Sequence, residues 1–130
     1  MERRKILRHI FRFHGLAQSF GFAVKGIAYL FLFHRNMRLI FLCGIAAFFL
    51  GTLLKLRGIE LVVLYITITL VFMAEIFNTA IEMLMNMLTT KYRLRIKLVK
   101  DIAAAVVLIT CINAVVVGYI LFGYKLIARH

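Results

Sequence analysis

Residues 102–124 read IAAAVVLITCINAVVVGYILFGY. A charge-free run of this length, coiled as a helix, extends about 34 Å, enough to cross the ~30 Å hydrocarbon core of a bilayer. Upstream, residues 61–74 (LVVLYITITLVFMA) are also uncharged, and the helical pattern around them runs from Ile59 to Leu88. Residues 39–54 (LIFLCGIAAFFLGTLL) form a third apolar run, which Met37 extends. Lys55, Arg57, Gly58 and Glu60 mark a tight break between the second and third runs. The whole composition agrees. Of 130 residues, 64% are hydrophobic, and the mean hydropathy is +0.97. So small a body has too little interior to hide that much apolar surface from water. Disordered chains, linkers and disulfide scaffolds are excluded by the same numbers. The expectation is an all-α integral membrane protein forming a single membrane domain over residues 1–130. A surface helix at 1–36 precedes transmembrane helices at 37–54, 59–88 and 102–124. Cys43 and Cys111 lie within apolar runs and read as buried small hydrophobes.

The N-terminal segment has a different texture. Arg3, Arg4, Lys5, Arg8 and Arg12 crowd its start, and Phe11, Phe13, Leu16, Phe20 and Phe22 follow. Basic on one side and aromatic on the other, it reads as an amphipathic helix lying in the membrane interface. Seventeen Lys and Arg against five Asp and Glu give a net charge of +12. In a chain this apolar, the excess marks cytoplasmic loops and contact with anionic headgroups, not nucleic-acid binding. Residues 1–38 hold eight of the cations and 89–100 hold five; Lys55, Arg57, Lys125 and Arg129 make up the other side. That asymmetry predicts a multi-pass cell-membrane protein with its N-terminus in the cytoplasm and its C-terminus outside. Residues 89–101 (TTKYRLRIKLVKD) are expected as a basic cytoplasmic loop.

The chemistry follows from the few acids. Glu2 and Glu60 sit at a terminus and a turn, where charge costs little. Glu75 and Glu82 fall in an otherwise apolar helix, seven residues apart and therefore on nearly the same face. Asn78, Thr79 and Asn86 share that face. A carboxylate in a bilayer costs several kcal/mol, so an intramembrane Glu points to function. The plain structural reading is polar glue between helices, or pairing with Lys100 or Arg38. The functional reading gives one carboxylate the role of proton acceptor and the other a hard cation such as Mg²⁺, which takes oxygen ligands. Lys100-Asp101 opens the last span. Asp101 is expected to cap that helix, and Lys100 supplies charge suited to a phosphate.

These residues carry a resemblance. AEIFNTAIEMLMN (74–86) followed by KDIAAAVVLI (100–109) resembles the signature of the prokaryotic diacylglycerol kinase and undecaprenol kinase family. FAVKGI (22–27) and RNMR (35–38) resemble the Gram-positive-type members, and the likeness covers residues 19–122. It implies a small homotrimeric membrane enzyme that moves the γ-phosphate of ATP, with Mg²⁺, onto the hydroxyl of a membrane lipid alcohol. Undecaprenol is the favoured acceptor and diacylglycerol the next. By motif position, Glu75 would be the general base and Glu82 would hold the metal bridging the ATP phosphates. Asn86, Lys91, Tyr92, Lys100 and Asp101 would contact the nucleotide. Asn78 and Arg38 would orient the base or the substrate.

Three positions depart from the family pattern. His34 stands where the family has a second metal-binding Glu; a neutral imidazole suits Mn²⁺ or Zn²⁺ better than Mg²⁺. Asn86 stands where the family has Asp. Gly15 or Gln18 stands where a basic residue precedes Ser19. These departures frame the alternative, a catalytically weakened relative that binds nucleotide or lipid. A small transporter coupling ions through Glu75 is a third reading, in which the NTAIE spacing and the Lys-Asp pair have no role.

Overall fold

A computed structural model describes the backbone of residues 2–88 and 93–128, with side chains described from 2–5, 15–88 and 93–128. Every regular element among the described residues is a helix: α1 (Glu2–Phe33), α2 (Arg35–Leu53), α3 (Ile59–Leu88) and α4 (Leu94–Ala128). Two compact units divide the chain, residues 1–35 and 36–130.

The first unit is α1. No Pro interrupts it, and Glu2 in its first turn favours the positive helix end. Its last turn runs out at His34, whose N–H still donates to the Leu30 carbonyl at 2.9 Å. Tyr29 stacks obliquely on Phe33, with ring centroids 4.8 Å apart. The predicted surface helix is thus one continuous helix. Its stretch Gly15–Phe33 is also long and apolar enough to cross a membrane, as are α2, α3 and α4.

The second unit holds α2, α3 and α4. The end of α2 is a Schellman turn. The Leu56 N–H reaches back to the Gly51 carbonyl at 3.0 Å, and the Lys55 N–H reaches Thr52 at 3.1 Å. Lys55 takes the left-handed conformation, φ 64°, that glycine usually occupies there. Leu56 folds over this turn and is almost wholly buried. Beneath it Gly51 has no room: a Cβ would lie 2.9 Å from Leu64 Cδ2 and 3.1 Å from Leu56 Cδ1. Two turns earlier on the same face, a Cβ on Gly44 would lie 2.9 Å from Ile68 Cγ2. Phe41 meets Phe72 edge-on at 5.9 Å. Contacts 41–72, 44–68 and 51–64 run in opposite directions along the two helices, so α2 and α3 form an antiparallel hairpin.

The closest packing joins α3 to α4. Lys100 Nζ donates to Asn86 Oδ1 at 2.6 Å at one end of this pair. Lys125 Nζ lies 3.3 Å from Glu60 Oε2 at the other. That carboxylate oxygen is buried and makes the ion pair without a geometrically good hydrogen bond. The two clamps are 25 to 26 residues apart, about 38 Å of helix. This lies between the hydrocarbon thickness of a bilayer and its full thickness with headgroups. The charged ends therefore fall where charge is tolerated, and the uncharged run 102–124 fills the interval.

Two expectations change. Residues 94–101, predicted as loop, are the first two turns of α4. Leu, Ile, Arg and Lys propagate helix well, no Gly or Pro interrupts them, and Lys97 pairs with Asp101 at i,i+4. Cys43 and Cys111 are free thiols, the first exposed and the second half-buried. They line one apolar groove of about 450 Å³ between α2, α3 and α4. Small hydrophobes need no protein interior when the surrounding solvent is lipid.

Gly51 provides a stability test. Gly51→Leu should lower the stability of the detergent-solubilised protein by about 1–3 kcal/mol through overpacking. Gly51→Ala should lie near zero, because about 1 kcal/mol of regained helix propensity offsets a clash that flexible leucine tips can relieve. Thermal unfolding monitored by circular dichroism measures both.

Candidate functional site

Thirty residues make α3, and only five are buried: Leu64, Thr67, Ala74, Glu75 and Thr79. Glu75, 9% exposed, is the one ionisable group among them. Three of these five sit within one and a half turns, and two of the three are polar. Thr79 donates its hydroxyl to the Glu75 carbonyl oxygen at 2.9 Å, so its polarity is satisfied along the helix. Thr67 does the same to Val63 at 2.7 Å. The Glu75 carboxylate is what distinguishes this face chemically.

The polar stripe emerges from the interior toward the C-terminal end of α3. Glu75 is buried, Asn78 is half-buried, and Glu82 and Asn86 are exposed. Glu82 lies seven residues beyond Glu75, about 10 Å along the axis. Asn86 is one turn further and meets Lys100. A carboxylate in the packed helix is thus followed, on one face, by a second carboxylate at the open end and then by a cation brought across from α4. The stripe read in the sequence is present, and the structure adds the crossing.

Lys100 and Asp101 are adjacent in sequence yet have different partners. Lys100 reaches across to α3. Asp101 stays on its own helix and pairs with Lys97 at 2.9 Å, both side chains more than half exposed. An exposed i,i+4 pair of this kind contributes only about 0.3–0.5 kcal/mol, so a ligand can displace it cheaply. Asp101 does not cap α4. The helix starts at Leu94, where the Lys97 N–H bonds to the Arg93 carbonyl at 3.0 Å, and Asp101 is two turns inside it. Lys97 is the residue that sequence reading missed; its spacing of four from Asp101 was the available signal, once the segment is taken as helix.

The remaining predicted residues are placed as follows. Arg38 lies near the start of α2 in the second unit and is exposed. His34 belongs to the first unit, half-buried at the end of α1, with its ring 6.0 Å from that of Tyr29. Lys91 and Tyr92 lie outside the described residues.

No three His, Cys, Asp or Glu side chains cluster as a self-contained metal cage among the described residues. Mg²⁺ bound with a nucleotide does not require one. It commonly takes one or two carboxylates, with phosphate oxygens and water completing its shell. An exposed Glu82 fits that donor set.

A family model described as prokaryotic diacylglycerol kinase matches residues 21–122. The diacylglycerol kinase of Synechocystis sp. (strain ATCC 27184 / PCC 6803 / Kazusa) is 38% identical over 104 residues, which are 79% of this chain and 59% of that protein. The chain therefore spans about three-fifths of that relative's length. The undecaprenol kinase of Bacillus subtilis (strain 168) is 30% identical over 109 residues, which are 84% of this chain and 89% of that one. The matched region takes in α2, α3 with its polar stripe, the Lys100–Asn86 crossing and nearly all of α4. This multi-pass helical membrane protein belongs to the prokaryotic diacylglycerol kinase family.

Proposed function

We propose that the protein transfers the γ-phosphate of ATP to the hydroxyl of a membrane lipid alcohol at the C-terminal end of α3. The observation that carries this reading is the buried Glu75, seven residues before the exposed Glu82 on one face of an apolar helix. Lipid acceptors arrive within the bilayer and ATP arrives from water. A phosphoryl-transfer site between them needs a base on the apolar side and phosphate-binding groups on the wet side.

The separation suits the reaction. A base lies about 3 Å from the hydroxyl it deprotonates, the attacking oxygen about 3 Å from phosphorus, and a carboxylate about 2 Å from Mg²⁺. A chain of such contacts bridges the ~10 Å between Glu75 and Glu82. Glu75 takes the hydroxyl proton as the lipid oxygen bonds to the γ-phosphorus, and the bond to the β,γ-bridging oxygen breaks to release ADP. Asn78, between the two carboxylates, orients the acceptor, with Arg38 serving the same head group. Lys100 and Asp101, together with Lys91 and Tyr92, hold the nucleotide. The divalent ion, when bound, neutralises phosphate charge, with Glu82 as its ligand. By its place in the family motif, His34 would offer a softer donor. Positioning and electrostatics of this kind supply most of the catalysis in phosphoryl transfer.

Undecaprenol is the favoured acceptor, because the undecaprenol kinase relative is nearly co-extensive with this chain. Diacylglycerol is next, from the relative of higher identity. The N-terminal helix fits the interface better than the bilayer. Lys25 falls near the middle of Gly15–Phe33, where a cation costs about 2.5–3.5 kcal/mol. This leaves three crossings, with the N-terminus cytoplasmic and the C-terminus outside. Further copies complete the assembly as a homotrimer: within one chain α4 fully buries only Ala103, and most of its residues are exposed to lipid or to a neighbour.

Transfer of labelled γ-phosphate to lipid in mixed micelles tests the proposal, with undecaprenol and diacylglycerol compared. Glu75→Gln should reduce kcat by about 10²–10⁴-fold, the contribution of a positioned base, while nucleotide binding is retained. An active Glu75→Gln enzyme would exclude Glu75 as the base. Metal substitution checks the ligand set. Mn²⁺ should support higher activity than Mg²⁺ in the native chain, and His34→Glu should reverse that preference. If the native chain transfers no phosphate with either ion yet still binds nucleotide, the weakened binding relative is the correct reading.

A further inference from the structure

Asn86 and Lys100 form the shortest side-chain contact described between two helices, at 2.6 Å, and it joins a full cation to a neutral amide. No carboxylate among the described residues pairs with Lys100. The nearest acid in sequence, Asp101, is engaged by Lys97 instead. Arg93, immediately before α4, and Arg95, in its first turn, are also exposed. This end of the α3–α4 pair therefore carries an excess of positive charge, with one of its cations held in a fixed place by an acceptor that leaves its charge intact. An amide oxygen accepts from an ammonium and orients it, but neutralises nothing.

We infer that Asn86 is a positioning residue that holds Lys100 as an uncompensated cation for the polyphosphate of the nucleotide, so that the neutral side chain at 86 sets nucleotide affinity. The inference rests on the kinase reading for its ligand. It gives position 86 a role opposite to metal binding: an acid there would cancel the charge of Lys100 instead of adding a ligand for Mg²⁺. Phosphate charge is then met by a protein cation at this end of the site, with Glu82 left as the exposed acidic side chain on the stripe.

The test is binding of a fluorescent trinitrophenyl-ATP to the full chain in mixed micelles, with and without Mg²⁺, alongside the KM for ATP. Asn86→Asp should raise the Kd about two- to five-fold in both conditions, the range reached by exposed ion pairs. The kinetic effect should fall on the KM for ATP more than on kcat. At 1 M salt, where the Debye length is about 3 Å, the difference should shrink toward none. In a Lys100→Gln background, Asn86→Asp should have a distinctly smaller effect, because the two changes act through one contact. Tighter binding of Asn86→Asp in Mg²⁺ would overturn the inference in favour of a metal ligand at 86. An unchanged Kd, or an equal effect in the Lys100→Gln background, would also overturn it. Native chain that binds nucleotide with these differences but phosphorylates no lipid would refute the kinase reading alone. Phosphate transfer with an unaltered Asn86→Asp Kd would refute this inference alone.

Discussion

Antiparallel packing of α3 against α4 is held at two points about 38 Å apart, by Lys100 on Asn86 at one end and by Lys125 against Glu60 at the other. Each clamp joins a cation to an oxygen acceptor at the end of a long uncharged run. Moving either helix by a turn would drag a charged side chain toward the hydrocarbon, at a cost of several kcal/mol. The solvent therefore enforces the register as much as the contacts do. With the register set, Lys100 must stand at the end of the α3 stripe.

That placement organises the site. Glu75 is the buried acid of α3, Glu82 its exposed companion, and the cationic start of α4 closes the sequence of groups. Water-soluble kinases hold nucleotide with a glycine-rich loop whose backbone N–H groups face phosphate. Here the glycines serve packing instead. Gly44 and Gly51 let Ile68 and Leu64 of α3 press against α2, and in the proposed reading the nucleotide is met by side chains at a helix end. A membrane protein has reason to work this way, since backbone hydrogen bonds within the bilayer are committed to the helices themselves.

Burial has an unusual meaning in this chain. Few side chains are hidden from the exterior, and large apolar residues such as Phe49, Leu53, Ile109 and Val115 are exposed. In water such a surface would aggregate; in lipid it costs nothing, and it leaves room for neighbouring copies. The positions that are hidden are correspondingly informative. Met37 and Leu56 fill space at the two ends of α2, Ala103 permits close approach of α4, and Glu75 is an acid buried among them.

Much of this was legible in the residues. Uncharged runs of 14 to 23 residues specify membrane helices, because the bilayer sets both their length and their polarity. The seven-residue spacing of Glu75 and Glu82 put both acids on one face from helical geometry alone. The family signature in 74–86 and 100–109 could be read from residue order. Residues 94–101 were not legible as helix, because a dense run of cations looks like a loop until the Lys97–Asp101 spacing is tested against a helical period. Nor could the sequence decide which partners Lys100 and Asp101 take. Adjacent residues on a helix point about 100° apart, so one faces α3 and the other does not. Linear order determined the helices, the membrane and the polar stripe, since each is a local property of spacing and polarity. Only the packing of α4 on α3 decided that Lys100 meets Asn86 and that Glu60 meets Lys125, because those pairs are 14 and 65 residues apart and depend on a register that no local pattern contains.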